Sequence, residues 1–342
     1  MRFKFASARV KLTIRLTLLA ACAFLLCAPR AGAQSLSYTK GQNVSPAFEG
    51  WEEASDGTKY FLFGYMNRNW EEELNVPVGP DNNLAPGAAD QGQPTHFLPR
   101  RNRFVFRVAV PKTFTDKDEM IWTLTTYGKT EKAYATLRLD YKVDDVVKAS
   151  ETGALGAGTS SPEVRANKPP VVKVQGPKTL TAKVGQPLEL TAVVTDDGVP
   201  KRRVGGGSAA VSNVGSRADA RPAGRRGGGD GTVDPAQARQ QRAMLPPARV
   251  TVGKNVGLHL SWFVYRGSGA VTFDPIQVKA WEDTRAGANS PWAPLWTPPE
   301  MPADGKIVVH ATFAEPGTYV LRGLADDGAL FGNDEVTVTV KP

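Results

Sequence analysis

The chain's imidazoles are His96, His259 and His310, which fall in separate segments without the close spacing of a metal or acid–base set. Both cysteines, Cys22 and Cys27, lie within the first 33 residues, so a thiol nucleophile or a thiolate metal site is excluded from the rest. A Ser-His-Asp hydrolase would need a G-x-S-x-G elbow, and none is present. Carboxylates are better supplied. Glu52, Glu53 and the run Glu71–Glu73 could include the pair about 5–10 Å apart that glycoside hydrolysis requires, although a charged run more often discourages strand pairing at an edge. Asp196-Asp197-Gly198 and Asp326-Asp327-Gly328 each close a strand-like run. Gathered at one end of a sandwich, they would offer oxygens to Ca²⁺, which takes six to eight, with Asn333 and Asp334 close by. Ordinary turn chemistry uses the same letters. Asp81, Asn82, Asn83 and Asp90 present the same choice.

Tryptophan raises carbohydrate stacking, because an indole face can cover the apolar face of a sugar. Trp51, Trp70, Trp122, Trp281, Trp292 and Trp296 are the candidates. Trp122 sits in a strand-like run, whereas Trp281, Trp292 and Trp296 occupy a Pro-rich loop that they could latch onto its domain. Trp70, Asp81, Asn82, Asn83, Trp281 and Trp292 are therefore the ligand- or partner-binding candidates, and Asp196, Asp197, Asp326 and Asp327 the Ca²⁺ candidates. No catalytic residue and no cofactor other than Ca²⁺ is implied.

The elements that position these residues begin after a leader. Arg2, Lys4, Arg9, Lys11 and Arg15 form a basic region, residues 16–28 an apolar one, and Ala31-Gly32-Ala33 a small-x-small cleavage pattern. Residues 1–33 read as a signal peptide, with Gln34 starting the mature chain. The apolar run is shorter than the roughly 20 residues of a spanning helix. A competing reading takes Leu19-Ala20-Ala21-Cys22 as a lipobox, but the apolar run continues past Cys22. The chain is expected to be exported: periplasmic, cell-surface or extracellular.

A net charge of +8 misleads as an average. The leader carries six Lys/Arg and no acid, and residues 201–254 carry eleven Lys/Arg against three Asp; removing both leaves −6 for everything else. The folded parts are mildly acidic, which argues against a basic nucleic-acid face. Residues 199–256 are biased to Gly, Arg, Ala and Pro and cannot offset the entropy of ordering. They read as a disordered insertion in a surface loop. It could cling weakly to anionic polymers, but a bare linker is the simpler reading.

The remainder is strand-like. Residues 34–149 hold runs at 47–53, 59–66, 103–110, 120–126 and 132–139, rich in aromatic and β-branched residues and parted by turn signals. No helix is expected. Residues 150–168 are Gly/Ser-rich and read as a linker. Residues 169–342 hold runs at 171–174, 188–195, 258–264, 306–313, 318–325 and 335–340. The fold class is all-β: two immunoglobulin-like β-sandwich domains joined by that linker, with the insertion inside the second. Residues 63–99 stand apart. They lead from one strand into about thirty residues dense in Pro, Gly, Asn and Asp, and a loop of that length in a compact domain is uncommon unless functional. Trp70, Pro77, Pro80, Pro86, Pro94 and Phe97 look like its anchors.

Two resemblances follow. Asn167–Pro170, Val184-Gly185-Gln186, Leu260-Ser261-Trp262 and Pro316-Gly317-Thr318-Tyr319 make the second domain resemble the PKD-type immunoglobulin-like modules of bacterial surface and secreted proteins. That resemblance places Trp262 in the middle of the sandwich and Tyr319 at a tyrosine corner. The first domain resembles, through FGYMNRN, VPVGPDNN and QGQPTHFLP, an immunoglobulin-like module of unknown function in secreted bacterial proteins. Such modules space, adhere or bind, and the fold implies no chemistry. The expected function is a non-catalytic binding or structural module of the cell envelope or exterior. Its partner would be a protein or envelope component, with a polysaccharide as the alternative and a secreted hydrolase third.

Overall fold

The computed structural model describes residues 39–152, 161–200, 257–279 and 298–342. The leader, Cys22, residues 201–256 of the insertion, and Trp281, Trp292 and Trp296 lie outside them.

The first sandwich sets a sheet of β1 (Val44–Glu53), β2 (Lys59–Asn67) and β6 (Arg100–Ala109) against a sheet of β4 (Asn82–Ala85), β7 (Met120–Thr126) and β8 (Lys129–Ala135). Alternation in the sequence decides which side chains go inside: Phe104, Phe106 and Val108 of β6 are buried, as are Met120, Trp122 and Leu124 of β7. Aromatic packing fills the space between the sheets. The Trp122 ring meets Phe106 edge-on at 5.0 Å, and Phe106 stacks on Phe63 at 5.3 Å. The β7–β8 hairpin turns at Tyr127 and Gly128, both at positive φ, as a two-residue hairpin loop requires.

The second sandwich pairs β9 (Val171–Val174), β11 (Pro187–Thr195), β14 (Lys306–Phe313) and β13 (Val271–Asp274) in the order 13-14-11-9. Facing it, β10 (Thr179–Lys183), β16 (Phe331–Lys341), β15 (Gly317–Asp326) and β12 (His259–Arg266) lie in the order 10-16-15-12. With β10 running parallel to β16 and the other pairs antiparallel, this is the A-B-E-D and C-F-G arrangement of an immunoglobulin-like domain. Trp262 on β12 is buried in the core, and Gly323 opposite it leaves room for the ring: an added Cβ would stand 3.2 Å from its Cζ2. Tyr319 closes the corner by donating its hydroxyl to the carbonyl of Glu315 at 2.9 Å.

Several expectations change. Residues 145–152 form a helix, Asp145–Thr152, where none was expected, and Pro162–Ala166 form a second. The first crosses the expected linker boundary and packs Ala149 against Ala329 and Leu330 of the second sandwich. The stretch 63–99 is not all loop either. It holds β3 (Leu74–Asn75) paired with β5 (His96–Phe97), and β4, which completes the second sheet through pairing with β7. A four-residue strand with one buried apolar side chain, Leu84, carries no alternation for a sequence reading to find.

Candidate functional site

An interdomain cleft, and the stretch that builds it, form the candidate site. Residues 63–99 bury Phe63, Tyr65, Val76, Leu84 and Phe97 in the core, and between these anchors polar side chains answer backbone groups a ladder would otherwise satisfy. Asn82 is fully buried. Its amide donates to the carbonyls of Val76 at 2.9 Å and Pro94 at 2.8 Å, and its oxygen accepts from Trp122 Nε1 at 3.0 Å. Gln93, also fully buried, donates to Ala89 and Asn82 carbonyls, and Asn67 donates to those of Glu72 and Phe97. Phe97 then drives a ring into the core beside Tyr65, whose hydroxyl accepts from Leu98 N at 2.9 Å. Pro94 and Phe97 hold as buried anchors; Pro77, Pro80 and Pro86 are exposed.

Held in this way, the stretch docks on the second sandwich. Asp90 grips the Arg266 guanidinium with both oxygens, at 2.8 and 2.9 Å, while Arg266 Nε donates to the Gln93 carbonyl at 2.9 Å. The bond to Arg266 holds the Asp90 carboxyl below the usual carboxylate range. Tyr265 donates its hydroxyl to Gly92 O, Thr95 N donates to Tyr265 O at 3.2 Å, and Gly267 N donates to Thr95 Oγ1 at 3.2 Å. A second fastening is Arg322, which is buried, lies 3.5 Å over the Tyr265 ring, pairs with Glu335 and donates to Val105 O on β6. The stretch is thus an interdomain brace.

Beside the brace lies a cleft of about 380 Å³, with Glu73, His96, Arg101 and Asn102 on one wall and Phe263, Val271, Phe273, Ile276 and Gln277 on the other. His96 Nε2 lies 2.8 Å from a Glu73 oxygen and Nδ1 lies 2.7 Å from Asn75 Oδ1. Asn75 in turn donates to Ser268 O across the interface at 3.2 Å. The floor is the outer edge of β12 at Trp262–Val264. β12 ends its sheet, and among the described residues no strand pairs with that side. At one end the edge is met by Thr95, and at the other Trp262 N donates to the side-chain oxygen of Gln277 at 3.1 Å.

The candidates named from sequence are distributed differently. Asn82 is an internal strut, and Asn83, partly buried, donates to the Gly79 and Pro80 carbonyls. The carbonyl of Asp81 accepts from Thr125 N. Trp70 is buried under Arg100, whose guanidinium lies 4.1 Å from its ring, so its face is closed to a sugar. Trp51 and Trp122 are buried too. Among the carboxylates, Glu52 is desolvated, but its bonds to Lys148 and Arg107 outweigh that and hold it below the usual range. Glu53 pairs with Lys142, Glu72 accepts from Tyr127, and Glu73 faces His96. The Asp-Asp-Gly turns sit at one end of the second sandwich: Asn167 donates to Asp327 at 3.1 Å and Lys168 N to Asp197 at 3.1 Å. What the sequence reading missed is Tyr265, Arg266 and Arg322. Ser261, Phe263 and Tyr265, which alternate with Leu260, Trp262 and Val264, were the available signal, since aromatic residues on both faces of one strand imply a second packed face.

No family model and no curated protein matches the chain. Solved structures aligned with it include a chimeric titin Z1Z2, at 9% identity over 88% of this chain and 100% of that one, with a TM-score of 0.19. The immunoglobulin domains 1–5 of Sidekick-1 align at 8% identity over 89% and 40%, with a TM-score of 0.20. The adhesin InvE of Yersinia pseudotuberculosis aligns at 9% identity over 86% and 58%, also at 0.20. Overlaps this slight carry nothing about function. The sandwich assignment stands on the strand order itself.

Proposed function

We propose that this is an exported, non-catalytic binding module whose partner is a protein that lays an extended segment along β12 in the interdomain cleft. The observation that carries the reading is the edge of β12 at Trp262–Val264, which no strand among the described residues pairs, framed by a braced interface. An edge presents alternating N–H and C=O groups at a spacing that only another polypeptide backbone matches, and strand addition is a recurring mode of peptide recognition. Thr95 already bonds to this edge, and the Gln277 side-chain amide occupies the place of a partner's carbonyl opposite Trp262 N. Phe273 and half-exposed Ile276 would seat the alternate side chains of the incoming strand. Export is supported by the leader pattern of residues 1–33. The polysaccharide alternative would rest on Trp281 and Trp292, which lie outside the described residues, since Trp70 is stacked under Arg100.

The test is selection of a displayed library of random linear peptides against residues 34–342, followed by binding of the selected peptides and amide exchange with and without them. Binding that slows exchange at Trp262–Val264 and is lost in Ile276→Glu supports the reading. Enrichment on a glycan array with no selectable peptide, or peptide binding that ignores Ile276→Glu and leaves β12 exchange unchanged, refutes it.

A further inference from the structure

The end of the second sandwich where residues 167–170 lead into β9 is rich in lone pairs and poor in donors. Most of its oxygens are spent on turns. Asp327 Oδ1 accepts from Ala329 N at 2.6 Å and Leu330 N at 2.7 Å, Asp196 Oδ2 from Gly198 N at 2.8 Å, and Asp197 Oδ1 from Val199 N at 2.9 Å. The remainder is not explained by turn chemistry. Asn167 is 6% exposed; it donates to Asp327 Oδ2, and among the described residues its own Oδ1 is buried without a partner. Asp196 Oδ1 is buried without a partner as well. His259, 2% exposed, faces Asp326 across the β12–β15 ladder. Its Nδ1 donates to Gly257 O at 3.0 Å, and among the described residues Nε2 is buried without a partner.

Two buried oxygens without donors among the described residues, at one end of a domain, are costly, since each forfeits its hydration for nothing. Among the described residues no Lys or Arg side chain pairs with Asp196, Asp197 or Asp327. A positive charge answers all of these at once. Oxygen predominates, so the charge that fits is a hard divalent cation.

We propose that this end binds Ca²⁺ through Asn167 Oδ1, Asp196 Oδ1 and the Asp327 carboxylate, fastening the residues that lead from the first sandwich to the ends of β11 and β15. No three His, Asp or Glu side chains among the described residues form a ready metal cluster. The set therefore depends on the Asn167 amide oxygen, and binding draws Asp196 and Asp327 together around it, with backbone carbonyls and water completing the six to eight ligands. An exported module of this kind binds Ca²⁺ on the order of 10⁻⁴–10⁻³ M.

The experiment uses the chain from Gln34 onward, stripped with chelator, and measures thermal unfolding and calorimetric binding during titration with CaCl₂, with MgCl₂ and ZnCl₂ in parallel. The expected result is a saturable rise in melting temperature with Ca²⁺. Asn167→Ala and Asp196→Asn should each weaken Ca²⁺ binding about tenfold or more, a loss of roughly 1.4 kcal/mol. Lys168→Gln should leave it intact. Absence of both heat and melting shift up to millimolar Ca²⁺ in the wild-type chain overturns the proposal whatever the variants do. So does a response to Zn²⁺ alone, or Ca²⁺ binding untouched by both substitutions.

Discussion

Replacing Asp327 with asparagine is expected to stabilise the cation-free protein at neutral pH, the opposite of what removal of a bonded, buried aspartate usually does. Asp327 is 2% exposed, and its carboxyl is pushed from an ordinary 3.8 to about 6, by burial first, with the neighbouring Asp326 charge adding to it. The folded state therefore holds the proton more tightly than the unfolded chain. The stability contributed by this group is complete below 3.8 and is lost as pH rises through about 6. Two units correspond to about 3 kcal/mol at full burial, and less with relaxation, so a gain of about 1–3 kcal/mol at pH 7 is the working figure. An amide keeps the acceptor that Ala329 N and Leu330 N use. Its N–H₂ can also donate to the unpartnered Oδ1 of Asn167 once that amide turns over. Urea unfolding of wild type and Asp327→Asn in chelator, at pH 5 and pH 7, measures the effect. The variant should gain most at pH 7, and its melting temperature should rise by roughly 2–4 °C per kcal/mol. Added Ca²⁺ should reverse the ranking. A variant less stable than wild type by 1 kcal/mol or more at pH 7 without cation would show the buried carboxylate to be favourable as it stands, and would sink the reasoning.

Two further outcomes concern the brace. Arg266→Ala and Asp90→Ala should each open the interface, seen as faster protease cleavage around residues 86–95. Their coupling in a double-mutant cycle should be about 1 kcal/mol or less, because the Asp90 side chain is half exposed to screening solvent. The Asp90 carboxyl sits below its usual range, so this coupling should hold above pH 4 and fade in more acidic solution; coupling that grows with acid would contradict it. Asn82→Ala leaves Trp122 Nε1 buried without an acceptor and removes the donor to Val76 and Pro94, so a loss of roughly 3 kcal/mol in urea unfolding is expected. A loss under 1 kcal/mol would mean that water replaces the amide there.

The fold was largely legible because several of its strands advertise themselves locally. β6, β7, β11 and β14 alternate or run apolar within ten residues, and each formed within a residue or three of where the sequence placed it. Trp262 and Tyr319 were likewise readable, since an indole on the central strand and a tyrosine after Pro316-Gly317 mark fixed places in such a sandwich. The cleft was not legible. Its floor is an edge, and nothing within β12 says which side of that strand will be left unpaired. β4 and the β3–β5 pair were also silent, because they are held by pairing to distant strands rather than by their own letters.

What the sequence determined by itself is the set of short-range choices: where strands alternate, where Gly and Asp turn the chain, and which large side chains must be buried. Those follow from backbone sterics and hydrophobic period and need no knowledge of the rest of the molecule. The tertiary structure decided what the polar residues are for. Asn82, Gln93 and Asp90 look like surface-loop letters until their partners 4 to 176 residues away are in place, when they become a strut, a backbone substitute and an interdomain clamp. A polar side chain takes its role from the single partner it reaches, and that partner is chosen by how two separately folded sheets come to lie against each other.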